Sequence, residues 1–269
     1  MTAIGQSSLY ALVVILVMGV VTWLYSLYRK DVSIVDSLWS LMLLAAATTY
    51  LTFAENYSAR NILLLVLVTL WALRLSVFLT VRNWNKEEDR RYREIRANNQ
   101  PNFGIKSLYI VFGLQGVLAW IISIPLLLSF SIDGDIGVIE MIATGLWMTG
   151  FLFESIADWQ LYRFKSNSAN RGEVLDTGLW AYSRHPNYFG ECLVWWAYFL
   201  FALSVGAWWT AFSPIVMTLL LLKVSGVSLM EKGITERRAD YRRYIQTTNA
   251  FIPGMPRRDG AYIEKGQHS

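Results

Sequence analysis

The chain is poor in the residues that build metal centres and covalent staples. It has 269 residues and one cysteine, Cys192, which excludes an intrachain disulfide and a thiolate metal site. Two histidines, His185 and His268, exclude a multi-histidine metal centre. Charged side chains make up 16% of the residues, too few to cover a soluble domain. Proline occurs six times and no Gly/Ser- or Pro-rich linker divides the chain. No short internal repeat is visible. What remains is apolar: 54% hydrophobic residues, 14% aromatic, and a mean hydropathy of +0.35.

Windows of about 20 residues resolve about seven apolar segments. They run Leu9–Tyr28, Ile34–Ala54, Ile62–Val81, Leu108–Phe130, Ile136–Tyr162, Tyr188–Val205 and Trp208–Met230. The first lacks a small-residue cleavage site and leads straight into the second, so it is read as a retained helix. Basic residues gather after the first, third, fifth and seventh segments: Arg29 and Lys30, then Arg82 to Lys106, then Lys165, Arg171 and Arg184, then the tail. The positive-inside rule therefore gives an all-α integral membrane protein, N-out and C-in. Its net charge of +4 follows from that topology and from contact with lipid headgroups, and requires no nucleic-acid partner.

One stretch concentrates the chemistry: Gly178-Leu-Trp-Ala-Tyr-Ser-Arg-His-Pro-Asn-Tyr-Phe-Gly-Glu191. Pro186 holds His185 extended and starts a helix on which Asn187 and Glu191 share a face. Arg184, His185 and Tyr188 complete the cluster, which is the candidate cofactor site. The fifth segment ends with Glu154 and Asp158, also i and i+4, followed by Lys165; carboxylates there suit ribose hydroxyls or an amide, the other reading being salt bridges to neighbouring helices, and the lysine suits a phosphate. Asp36 falls inside the second segment, and an intramembrane carboxylate marks function or an ion pair, Arg74 being one basic residue that suits it. Arg82 and Asn83 close the third segment. The loop Arg82–Lys106 reads mostly as a solvated charged face, with one or two arginines able to close over a phosphate. Gln115 and Pro125 in the fourth segment suggest an interhelical hydrogen bond and a kink. Tyr241 and Tyr244 lie three apart in the tail, on one helical face. The other reading of that tail is a basic amphipathic helix on the membrane surface.

Taken together these segments resemble the steroid 5α-reductase-like membrane reductases. The resemblance is carried by Ser33-Ile-Val-Asp36, Leu73-Arg74 through Arg82-Asn83, Glu88-Asp89-Arg90-Arg91-Tyr92, Asp158-Trp-Gln160 with Phe164-Lys165, the Gly178–Glu191 run, and Tyr241, Tyr244 and Phe251-Ile-Pro253. It spans nearly the whole chain. The resemblance implies one membrane domain over 1–269, with a lipid-accessible substrate cavity in 1–130 and NADPH bound by 131–269 from the cytosolic side, in a bacterial inner membrane. Carried over to this chain, Asp158, Asn187 and Glu191 match cofactor-contacting positions, Lys165 a basic residue near the phosphates, and Glu154 a position where mammalian members have asparagine. The implied reaction is hydride transfer to an enone carbon–carbon double bond, with Asp36 as the candidate acid. The family's Gln-Glu pair and tyrosine are replaced here by Val35-Asp36 and Trp71, so the resemblance supports cofactor binding more than steroid reduction and leaves a different enone, or a fatty-acyl or isoprenoid substrate, open. Membrane methyltransferases of lipids or prenylated cysteine carry a similar Arg-His-Pro run, which makes S-adenosylmethionine the alternative cofactor.

Overall fold

The structure, a computed structural model, describes residues 2–224 and 239–257. Among the described residues every regular element is a helix and none is a strand. Two compact units divide the chain, one formed by Met1–Ala143 with Tyr198–Ser213, the other by Thr144–Ala197 and the chain from Pro214 on.

The first unit opens with α1 (Ala3–Arg29), α2 (Ile34–Thr52) and α3 (Ala59–Asn83), with α2 packed against both of the others. Thr2 and Ser58 cap α1 and α3 by accepting hydrogen bonds from the backbone N–H of Gly5 and Asn61. On α1 a narrow stripe of Ser7, Ala11, Ile15 and Gly19 is buried, while Leu9, Val13, Val17, Val21 and Leu24 are exposed. That distribution suits a helix that meets lipid over most of its circumference. Acyl chains are as apolar as leucine, so close approach by small residues rather than hydrophobic transfer holds such helices together. Ala46 and Ala47 on α2 and Ala72 on α3 serve this purpose, and Ser40 Oγ donates to the Ala72 carbonyl at 2.9 Å.

After the short α4 (Arg90–Asn98), α5 (Phe103–Ser107) passes through a π-helical stretch, Leu108–Gly113, into α6 (Leu114–Ile122). Pro125 has no N–H to continue the ladder, so α6 ends and α7 (Ile124–Ser131) begins at Ser123. Ser123 Oγ donates to the Trp120 carbonyl and lies 2.7 Å from the Tyr50 hydroxyl on α2, which satisfies the interrupted backbone. Arg60, at the start of α3, is fully buried. It donates to Glu140 Oε1 at 3.1 Å and to the carbonyls of Ser129 and Phe201, each at 2.7 Å. One guanidinium thus ties α3, α7, the start of α8 (Val138–Ser166) and the end of α9 (Pro186–Ser204) within this unit.

Among the described residues four helices are long and apolar enough to cross a membrane: Ala3–Arg29, Ile34–Thr52, Ala59–Asn83 and Phe103–Ile122. They mark the chain as a membrane protein. The segments read as the fifth and sixth spans form continuous helices of 29 and 19 residues, interrupted in their apolar character by Glu140, Glu154, Asp158 and Glu191. The seventh begins as α10 (Phe212–Leu219) and continues as a π-helical turn to Val224; its remainder lies outside the described residues.

The second unit is built on the contact of α8 with α9. An added Cβ on Gly190 would lie 2.5 Å from the Gly150 carbonyl oxygen, and one on Gly150 would lie 2.6 Å from that of Gly190. The two helices therefore touch backbone to backbone, which only glycine permits. Among the described residues the last helix of this unit is α11 (Ala239–Thr247).

Candidate functional site

The glycine contact brings the polar faces of α8 and α9 together. Asn187 Nδ2 donates to Asp158 Oδ1 at 3.1 Å, so the two stripes inferred from i, i+4 spacing meet each other. Glu191 Oε1 accepts from Trp195 Nε1 at 2.9 Å. Glu154, Asp158 and Glu191 are all buried. Buried carboxylates persist only with hydrogen-bonding partners, and these sit in a ladder of polar groups along the seam.

Between the two helices the chain makes a tight turn at Gly178, whose φ of +63° and contact with the Gln160 amide exclude a side chain. Gln160 Oε1 accepts from Leu179 N at 3.1 Å, and Trp180 Nε1 donates to the Ala157 carbonyl at 3.1 Å. The Arg-His-Pro run is thereby fastened to α8. The C-terminal segment is fastened in turn to that run. Arg184 NH1 donates to the carbonyls of Ile245 and Thr248 at 3.1 and 2.7 Å, occupying acceptors that the end of α11 leaves open. The Tyr244 hydroxyl donates to the Trp180 carbonyl at 2.5 Å, and Ser183 Oγ to that of Phe251 at 2.7 Å. His185 is buried, with its imidazole stacked on the Tyr188 ring at 5.6 Å and 4°.

These fastenings enclose a cavity of about 440 Å³ lined by the end of α8, the loop 167–175, Trp180, Arg184, His185, Tyr241 and Tyr244. Its volume lies within the 300–1,000 Å³ typical of small-molecule sites. The inner wall is aromatic and buried, from Trp180, His185, Tyr241 and Tyr244, with the Arg184 guanidinium among them. The outer wall is exposed and carries Lys165, Arg171 and Glu173. Among the described lining residues three cations face one acid, which suits the site to an anionic ligand.

Of the residues singled out from sequence, Lys165, Arg184, His185, Tyr241 and Tyr244 converge on this cavity. Glu154, Asp158, Asn187, Tyr188 and Glu191 belong to the same unit, along its helical seam. Asp36, Arg74, Arg82 and Asn83 belong to the first unit. There Asp36 pairs with Arg91 rather than with the suggested Arg74: Arg91 NH2 lies 2.7 Å from Asp36 Oδ2, and the Tyr92 hydroxyl donates to Asp36 Oδ1 at 2.6 Å. Gln115 Nε2 donates to the same Tyr92 oxygen at 3.0 Å, the interhelical bond expected of it. Burial first, and then the Asp36 carboxylate, push the Tyr92 phenol well above its ordinary pKa. Arg82 Nε donates to the neighbouring Asn83 Oδ1 at 3.2 Å. Sequence reasoning missed Trp180 and the loop residues 167–175 as cavity walls. Arg171 stood out only as a topology marker.

A model of a protein family of unknown function, DUF1295, matches residues 22–248. The chain belongs to this family. DUF1295 is related to the steroid 5α-reductase-like proteins. An uncharacterized protein of the fission yeast Schizosaccharomyces pombe is 26% identical over 275 aligned positions, which cover 91% of this chain and 78% of the relative. No solved structure matches the chain.

Proposed function

We propose that this DUF1295 protein is an NADPH-dependent membrane reductase that acts on the carbon–carbon double bond of a lipophilic enone. The observation that carries the reading is the cationic, aromatic-walled cavity formed by Lys165, Arg171, Arg184, His185, Tyr241 and Tyr244. Arginine and lysine side chains suit phosphate oxygens, and aromatic rings suit a base or nicotinamide. NADPH, when bound, supplies the hydride. The chain's own residues do the rest: the cations hold the phosphates, the buried inner wall excludes water, and Asp158 and Asn187 stiffen the seam that shapes the site.

The candidate acid, Asp36, belongs to the first unit. Asp36 is held as an acceptor by Arg91 and Tyr92, so the proton of this cluster resides on Tyr92 Oη, with Gln115 donating to the same oxygen. The single Tyr92 proton is spent on Asp36, so the cluster ties α2, α4 and α6 together within the first unit rather than offering a proton to a ligand. The proposal includes seven spans, N-out and C-in, with the cavity toward the cytoplasm and substrate entering from the bilayer.

S-adenosylmethionine carries a sulfonium and no phosphate, and the excess of cations lining the cavity disfavours it. The test uses detergent-purified protein, NADPH deuterated at the transferring carbon, and a sterol-type enone. Deuterium is expected at the β-carbon of the reduced product. Methylation of lipid by S-adenosylmethionine with no deuterium transfer would overturn the reading in favour of a methyltransferase.

A further inference from the structure

The cations of the cavity divide between its buried and exposed ends. Arg184 is buried and spends one nitrogen on the carbonyls of Ile245 and Thr248. Arg171 is exposed on the loop between α8 and the Gly178 turn, and among the described residues it makes no ion pair. Its backbone is nonetheless fixed. Asn170 Nδ2 donates to the Phe164 carbonyl at 3.0 Å, Arg171 N to that of Ser168 at 3.2 Å, and Glu173 N to that of Asn170 at 3.1 Å. Gly172 follows at φ +100° with open space around it, so glycine is there for its backbone angle and not for want of room. The loop holds an arginine fork at the mouth of the cavity.

We propose that Arg171 is the residue by which this protein selects a phosphorylated dinucleotide, through bidentate contact with the 2′-phosphate of the adenosine ribose. The inference rests on the nicotinamide-cofactor reading. A hydride destined for a lipophilic acceptor leaves from a water-excluded place, which seats the nicotinamide at the buried aromatic end. The adenosine then lies toward solvent, where Arg171 stands. A planar guanidinium pairs with a phosphate through two parallel hydrogen bonds, and an arginine placed near the 2′-position is the usual way a site takes the phosphorylated form. Lys165, on the last turn of α8, is a point charge suited to the pyrophosphate shared by both dinucleotides.

Calorimetric titration of the detergent-purified full chain with NADPH and with NADH tests this. Wild type is expected to prefer NADPH. Arg171→Ala should weaken NADPH roughly ten- to a hundredfold and leave NADH within about threefold, because only one ligand loses a charge-assisted bond. Arg171→Lys should recover part of the preference, and Lys165→Ala should weaken both ligands alike. Equal loss of NADPH and NADH in Arg171→Ala, no loss of either, or no preference in wild type overturns the assignment while the cofactor reading stands. Failure of wild type to bind either dinucleotide defeats that reading and this inference with it.

Discussion

Replacing Gly190 with alanine places a methyl group where α8 and α9 touch through their backbones. The new Cβ would sit 2.5 Å from the Gly150 carbonyl oxygen and 2.6 Å from the Glu154 nitrogen, against an ordinary contact that begins at 3.4 Å. Neither neighbour is a side-chain tip that can swing away. The helices must part by about 1 Å, and overpacking of this kind costs about 1–3 kcal/mol. Two backbone approaches well under 3.0 Å put this case at the upper end, about 2–3 kcal/mol, and alanine recovers about 0.5–1 kcal/mol of helix propensity, leaving a net loss of about 1–2 kcal/mol. For a chain of this size that lowers the apparent midpoint by about 2–8 °C. The assay is thermal unfolding in detergent at one scan rate, with Gly145→Ala as the control. Gly145 lies on α8 with nothing within 4 Å of its added Cβ, so that variant should match wild type or exceed it. Separation at Gly190 also displaces the Asp158–Asn187 pair, so NADPH affinity should fall in Gly190→Ala and hold in Gly145→Ala. A Gly190→Ala protein that melts with wild type would refute the backbone contact.

Three further outcomes are expected. Arg60→Met removes a fully buried guanidinium from Glu140 and two carbonyls, and should cost about 3–5 kcal/mol, read as low yield of folded protein in membranes; wild-type yield would contradict it. Tyr244→Phe removes the buried hydroxyl that holds α11 to Trp180, a loss of about 1–2 kcal/mol that should speed amide exchange in Tyr241–Thr247; unchanged exchange would contradict it. Burial raises the Glu88 pKa, but the Arg96 fork and the Val32 N–H outweigh it and hold the carboxyl below its ordinary value. Its stabilising contribution is therefore full above the unfolded carboxylate pKa and fades as pH falls through the lower folded value. Glu88→Gln should lower stability at neutral pH and flatten the acid limb of the stability profile; an unaltered acid limb would contradict this.

The site was legible where helical periodicity does the placing. Spacing alone put Asp158 and Asn187 on polar stripes and Tyr241 and Tyr244 on one face, and these residues meet or share the cavity. Contacts between distant segments were not legible. The depth of Asp36 in its helix revealed the need for a partner, but Arg91 reaches it only because the charged loop folds back as α4 and buries Tyr92. That loop read as a solvated face, because the pairing of Glu88 with Arg96 depends on tertiary placement and leaves no periodic trace. Arg184 read as a ligand contact; the carbonyls it takes lie about sixty residues further on, and backbone acceptors carry no sequence signal. Gly150 and Gly190 passed unnoticed, since single glycines in apolar runs look alike until their neighbours are known.

What the cavity binds decides between reductase and methyltransferase. Titration of purified wild type with NADPH and with S-adenosylmethionine, repeated on Asp158→Ala and Asn187→Ala, addresses it most directly. NADPH binding that weakens in both variants, with no uptake of S-adenosylmethionine, is the expected result. Binding of S-adenosylmethionine without NADPH, or of neither, would contradict the account.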